Sequence, residues 1–330
     1  MSLGHGSGAM AKEGNEMQFR IKNLLLLILL SLLTGLSAKA QQEAPVDVVK
    51  IDTDLVVLRV AVTDQHGRAA VGLRQDAFKV YEDGVQQEVG FFSSEESPIS
   101  WGLVLDRSGS MVGMMGDVHR AALHVIDEGT SRDEMFIVTF NKKAELISDF
   151  TSDRHRLENS TLGLRADGET ALYDAVAFAL DQLKRAKYRK KVLVVITDGE
   201  DNASRLNFRR LVERAEEEEA LIYAVGMFQE MGGLRLMDRS GETRVELEKL
   251  AEVTGSTAHF PTNVKECREV MDGIALEVSQ QYSLGYYPLN KTRDGKWRRI
   301  KVAVGQTGSS AKIVARTRSG YYGRKEEPQN

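Results

Sequence analysis

The sequence holds one cysteine, Cys267, so no disulfide can form within the chain. It lacks a basic excess: 44 Lys and Arg stand against 48 Asp and Glu, for a net charge of −4. That balance argues against a nucleic-acid binder. WRRIKV, residues 297–302, mixes aromatic and basic residues, but its alternating apolar positions read as a strand and not as a nucleic-acid patch. No G-x-S-x-G elbow and no P-loop is present. His119 and His124 lie five apart, off the i, i+4 spacing of a helical zinc pair, and the histidines read as surface or packing residues. Beyond residues 24–33 no apolar run approaches the length that spans a bilayer.

That one run is informative. Arg20 and Lys22 precede LLLLILLSLL, and Ser37-Ala38-Lys39-Ala40 follows with small residues at A-x-A spacing. A positive segment, a short apolar segment and a small-residue site make a secretory signal cut after Ala40. The alternative is an uncleaved N-terminal anchor. Met17 is the natural start of such a signal, with residues 1–16 an upstream extension or a remnant of expression. After cleavage the chain is expected to be secreted or periplasmic, with no stable membrane insertion.

Hydrophobic residues make up 42% of the 330, enough for one large domain or two ordinary ones. Residues 41–97 read as strands and turns. Val56, Leu58, Val60 and Val62 alternate with more polar positions, and Asp83-Gly84 is a hairpin signal. From Ser100 strands and helices alternate. WGLVLD, EMFIVTF, KKVLVVITD and ALIYAVGM are strands, and Val118, Ala121, Ala122, Val125 and Ile126 mark a helix. Leu172, Ala175, Val176, Ala179, Leu180 and Leu183 mark a second. Cys267 falls on the buried face of a last helix, residues 263–280; a reactive thiol is the other reading. Continuously apolar strands between helices predict a doubly wound, mainly parallel six-stranded α/β sheet covered on both faces. Residues 283–323 return to β character. Each flank is too short to bury much core alone. The two are therefore expected to pair into one small β-sandwich with the α/β region, 98–282, between them and a frayed tail at 324–330. The loop 227–242 is either a ligand rim or a connector.

Open α/β sheets bind ligands beyond the carboxyl ends of their strands. Two apolar strands here end on aspartate, Asp106 and Asp198. Ser108 and Ser110 follow the first, with Gly109 between them to allow a tight turn, and Thr170 opens the strongest helix. Asp106, Ser108, Ser110, Thr170 and Asp198 offer only hard oxygen atoms. Such a set suits Mg²⁺, with Mn²⁺ or Ca²⁺ as alternatives. Each residue also has a plain role: Thr170 as a helix N-cap, the serines as loop polar groups, Asp198 as a turn residue. Asp201 and Asn202, beside Asp198, are candidates for supporting contacts.

DRSGS at 106–110, Thr170 and ITDG at 196–199 resemble the metal-ion-dependent adhesion site (MIDAS) of the von Willebrand factor type A domain. All five positions of its D-x-S-x-S…T…D pattern are filled. The resemblance covers roughly residues 98–282. The flanks are similar to those of secreted bacterial VWFA-related proteins of the acidobacterial type, with an E-D-G turn before and a G-Y-Y segment after. The resemblance implies that Ser108 and Ser110 ligate the metal and that Thr170 does so directly or through water. Asp106 and Asp198 hold coordinated waters, or one of them ligates directly. It further implies a metal-dependent protein-binding module, not an enzyme, whose partner supplies an Asp or Glu side chain. The alternatives are a structural component of an envelope assembly and a metal-dependent hydrolase. Serine at position 108, where D-x-D phosphatases carry aspartate, speaks against the hydrolase.

Overall fold

The computed structural model describes residues 55–65, 68–94, 96–227, 240–305 and 313–326, with Ser240 described by its backbone alone. The signal expected at 1–40 and most of the 227–242 loop lie outside the described residues. All that follows concerns the compact unit Thr53–Asn330.

The chain begins with β1 (Val56–Asp64), a 3-10 turn at Gln75–Ala77, β2 (Phe78–Glu82), β3 (Val85–Gln87) and β4 (Val89–Ser93). Asp83 and Gly84, both at positive φ, make the hairpin turn between β2 and β3. The alternation then begins with β5 (Ile99–Asp106) and α1 (Met115–Glu128), followed by β6 (Glu134–Phe140), β7 (Ala144–Thr151) and α2 (Arg154–Ser160). It continues through α3 (Leu172–Leu183), β8 (Lys190–Thr197), α4 (Phe208–Glu217), β9 (Ala220–Gly226) and α5 (Ser240–Thr254). The two-residue β10 (Ala258–His259) and α6 (Val264–Ser279) close it. The last segment supplies β11 (Tyr282–Tyr286), β12 (Trp297–Val304), β13 (Ile313–Arg316) and β14 (Gly320–Tyr322).

The central sheet has the order β10-β9-β8-β5-β6-β7, parallel except for β7, which runs antiparallel to β6 at the edge. Its middle strands are apolar through their central residues because helices cover both faces. Val118, Ala121, Ala122 and Val125 of α1 and Cys267, Met271, Ile274 and Val278 of α6 pack on one face. Helices α3, α4 and α5 pack on the other through Ala175, Val176, Leu180, Leu211, Leu247 and Leu250. Cys267 is buried there as a packing residue. Gly102 of β5 has no room for a side chain, since a Cβ would sit 2.4 Å from Leu193 and 2.5 Å from Phe136.

The flanks form two four-stranded sheets, β13-β1-β11-β4 and β14-β12-β2-β3. Their inner faces share one core of Leu58, Val60, Val80, Leu284, Tyr286 and Ile300. β13 and β14, only three residues apart, lie in different sheets. In this core Glu82 accepts hydrogen bonds from Tyr286 at 2.7 Å and Tyr321 at 2.8 Å and lies 3.4 Å from the buried Arg298 guanidinium. Tyr223 of β9 donates to Glu277 of α6 at 2.6 Å, and Arg316 of β13 pairs with the same carboxylate.

Candidate metal centre

Strands β5 and β8 run in register from Ile99↔Lys190 to Leu105↔Ile196. The next residues along, Asp106 and Thr197, therefore face the same side at the carboxyl end of the sheet. Thr197 Oγ1 donates to Asp106 Oδ2 at 2.6 Å and accepts from the Gly199 N–H at 2.8 Å. The other carboxylate oxygen, Oδ1, accepts from the Ser108 N–H at 2.8 Å. Asp106 is fully buried, and burial pushes its carboxyl up to about 6. Hydrogen bonds from Ser108 and Thr197 oppose the rise, and the Asp198 charge adds to it.

After Asp106 the backbone passes through a 3-10 turn at Gly109–Met111 into α1. The Ser108 and Ser110 hydroxyls lie 3.0 Å apart. Ser108 is buried, whereas Ser110 is open to solvent. Gly109 matters for close approach and not for a left-handed turn. Its N–H donates to Gly168 O at 2.9 Å, and a Cβ there would sit 3.1 Å from that oxygen.

Gly168, at φ +77°, turns the chain toward Thr170. Arg107 ties the two loops together. Its carbonyl accepts from Asp167 N at 2.9 Å and its guanidinium meets the Asp167 carboxylate at 2.8 Å. Thr170 is buried and precedes the N-cap of α3, which is Ala171. It is therefore not the cap that its position in the sequence allowed. The first turn of α3 is satisfied from elsewhere. Asp201 Oδ1 accepts from Tyr173 N at 3.2 Å, and Ser204 Oγ accepts from Asp174 N at 3.0 Å. Asn202 brackets Thr170, accepting from its N–H and donating to its carbonyl, each at 2.9 Å.

Asp198 is half-buried, and its Oδ1 is buried without a hydrogen-bond partner. Burial raises its carboxyl, opposed by Ser110 and by the Glu200 N–H. The structure thus draws Asp106, Ser108, Ser110 and Asp198 together at one sheet end. Thr170 sits in the loop bonded to Gly109. Asp201 serves the start of α3, next to this group.

Thr197 and Gly168 are the supporting residues that motif reading missed, whereas Asn202, a candidate from its place beside Asp198, does make a supporting contact, to Thr170. Counting register from the two strand ends finds Thr197, but Gly168 depends on a loop contact with no sequence signal. The residues present fit a hard divalent cation. Two raised carboxyls, paired hydroxyls and an oxygen without a donor form a site short of positive charge.

A family model described as the von Willebrand factor type A domain matches residues 102–200, a span that contains all five residues. No curated protein matches the sequence. Among solved structures, a von Willebrand factor type A protein from Catenulispora acidiphila is 12% identical, with 78% of this chain and 77% of that one covered at a TM-score of 0.48. The vWF domain of the type V pili tip protein Mfa5 from Porphyromonas gingivalis is 11% identical, with coverage of 55% and 94% and a TM-score of 0.44. The PilB minor pilin from Streptococcus sanguinis is 14% identical, with coverage of 57% and 63% and a TM-score of 0.44.

Proposed function

Since the chain carries a von Willebrand factor type A domain, we propose that it is a secreted protein-binding module that engages a partner's carboxylate through a bound Mg²⁺. Ser108, Ser110, Thr170, Asp106 and Asp198 would hold the ion, with Mn²⁺ or Ca²⁺ as substitutes. The observation that carries this reading is the buried, unpartnered Asp198 Oδ1 beside Ser110, next to an Asp106 already fixed by two donors.

When bound, the ion supplies a hard, positively charged coordination position. The protein's part is to offer neutral hydroxyls and to leave a coordination position for a ligand from outside. The serine and threonine hydroxyls are neutral, and Asp106 Oδ2 is engaged by Thr197. An external Asp or Glu side chain is then the group best able to complete the shell. The same arrangement speaks for binding over hydrolysis. Asp106 is held by its hydrogen bonds, and position 108 offers a hydroxyl where a second catalytic carboxylate would be needed.

The test has two stages. Calorimetric Mg²⁺ titration of the wild-type chain should show one saturable site, weakened at least tenfold in Ser108→Ala and Ser110→Ala. A peptide array bearing Asp, Glu, Asn and Gln side chains should then be bound at its acidic members in Mg²⁺ and released by chelator. Binding that survives the chelator, or that ignores the carboxylate-to-amide change, would overturn the reading.

A further inference from the structure

Away from the sheet end, helices α1 and α6 lie side by side on one face of the central sheet. At their solvent edge His124 of α1 meets Asp272 of α6, with the ring Nε2 against Oδ1. Glu128, one turn beyond His124 on α1, turns its carboxylate toward the same point. One ligand atom from each of His124, Glu128 and Asp272 lies within 4.8 Å of the other two.

The His124–Asp272 pair uses one of the two carboxylates and leaves Glu128 available as a third ligand. A protonated His124 would balance one carboxylate and leave the second uncompensated, whereas a neutral His124 with two carboxylates carries two negative charges. A divalent ion cancels both. Imidazole with carboxylate suits a borderline cation such as Zn²⁺ better than Mg²⁺, which prefers oxygen alone. Ligand bonds of about 2.0–2.2 Å in a tetrahedron need ligand atoms about 3.3 Å apart, within reach of small rotamer shifts here. His124 and Glu128 have the i, i+4 spacing that puts two side chains on one helix face. Sequence reading looked for a second histidine on that face and so missed the glutamate.

We propose that His124, Glu128 and Asp272 form a second metal site, for Zn²⁺ or a similar transition-metal dication, with solvent in the remaining position. It is chemically distinct from the oxygen-only site at the sheet end and does not depend on the reading given to that site. A metal here would staple α1, which leaves the Ser110 turn, to α6, which leads into β11.

Glu128 and Asp272 are exposed, whereas His124 is partly buried between the helices, so Asp272→Asn is the variant that least disturbs packing and His124→Ala is read against its own metal-free Tm. The experiment is a Zn²⁺ titration of the full chain in excess Mg²⁺, so that the oxygen site is already filled. Wild type should bind one Zn²⁺ saturably and show a rise in Tm, with the His124 imidazole resonances shifted in NMR spectra. His124→Ala and Asp272→Asn should each weaken binding at least tenfold and abolish the rise in Tm. An isotherm unchanged in His124→Ala, or no saturable Zn²⁺ binding in wild type, would overturn the proposal.

Discussion

Thr197 fixes Asp106. Its hydroxyl donates to Oδ2 at 2.6 Å and in turn accepts from the Gly199 N–H at 2.8 Å, so a single side chain joins the ends of β5 and β8 to the loop that carries Asp198. Thr197→Val keeps the shape and removes both bonds. It should cost about 1–3 kcal/mol in urea unfolding, the usual penalty for buried groups left unpaired. Thr197→Ser should stay close to wild type. A loss in Thr197→Ser with none in Thr197→Val would mean that the methyl group, not the hydroxyl, matters.

Gly199 sits at φ +83°, and a Cβ there would lie 2.2 Å from Thr243 Cγ2 and 3.1 Å from Leu247 Cδ1. Gly199→Ala combines a left-handed backbone with overpacking against α5, for a cost of about 2–4 kcal/mol. It should also weaken Mg²⁺ binding, because the strain falls on the residue after Asp198. Chemical denaturation and calorimetry would read the two effects separately. A variant as stable as wild type would show that the loop and α5 can part without cost.

The buried Glu82 cluster should behave as a unit. Arg298→Met removes the cation 3.4 Å from Glu82 and leaves that carboxylate with two tyrosine donors. Breaking a buried pair from one side costs about 3–5 kcal/mol. Tyr286→Phe alone should cost about 1 kcal/mol, since Tyr321 and Arg298 still serve the same group. Urea midpoints in the reverse order would contradict this picture.

Lys190, the first residue of β8, is buried, and desolvation lowers its amine to about 8, with the nearby Arg59 charge acting in the same direction. In the unfolded chain a lysine titrates near 10.4. Between those values the unfolded state binds the extra proton, so stability should rise with pH from about 8 to about 10. The full gain is about 3 kcal/mol. Lys190→Met should flatten that limb of the profile. A rise that persists in the variant would assign it to another group.

The fold was legible where burial leaves a plain pattern. The apolar runs of β5, β6, β8 and β9 and the apolar faces of α1 and α3 stand where their spacing put them. The edge was harder. β7 runs antiparallel, and nothing in AELISDF distinguishes that direction. The seven-residue α2 is too short to show a period. At the sheet end, residue type and position mark the five oxygen-bearing side chains. Thr197 emerges only from register. Asn202 is marked only by its nearness to Asp198, and Gly168 acts through a backbone partner, Gly109, brought to it by folding, so no local pattern could mark it. His124 and Glu128 carried the right spacing, but their third member, Asp272, lies 144 positions beyond Glu128 along the chain.

β4 and β11 are hydrogen-bonded neighbours, with Ser93 opposite Ser283. Topologically, everything from β5 to α6 is the turn of one enormous hairpin. Chain-closure entropy grows only with the logarithm of length, so such an excursion burdens the host sheet by about 3–4 kcal/mol more than a tight turn would. It also means that the chain enters and leaves the α/β region on two paired strands, while the Arg316–Glu277 and Arg318–Glu219 ion pairs tie the same two regions together away from that entrance.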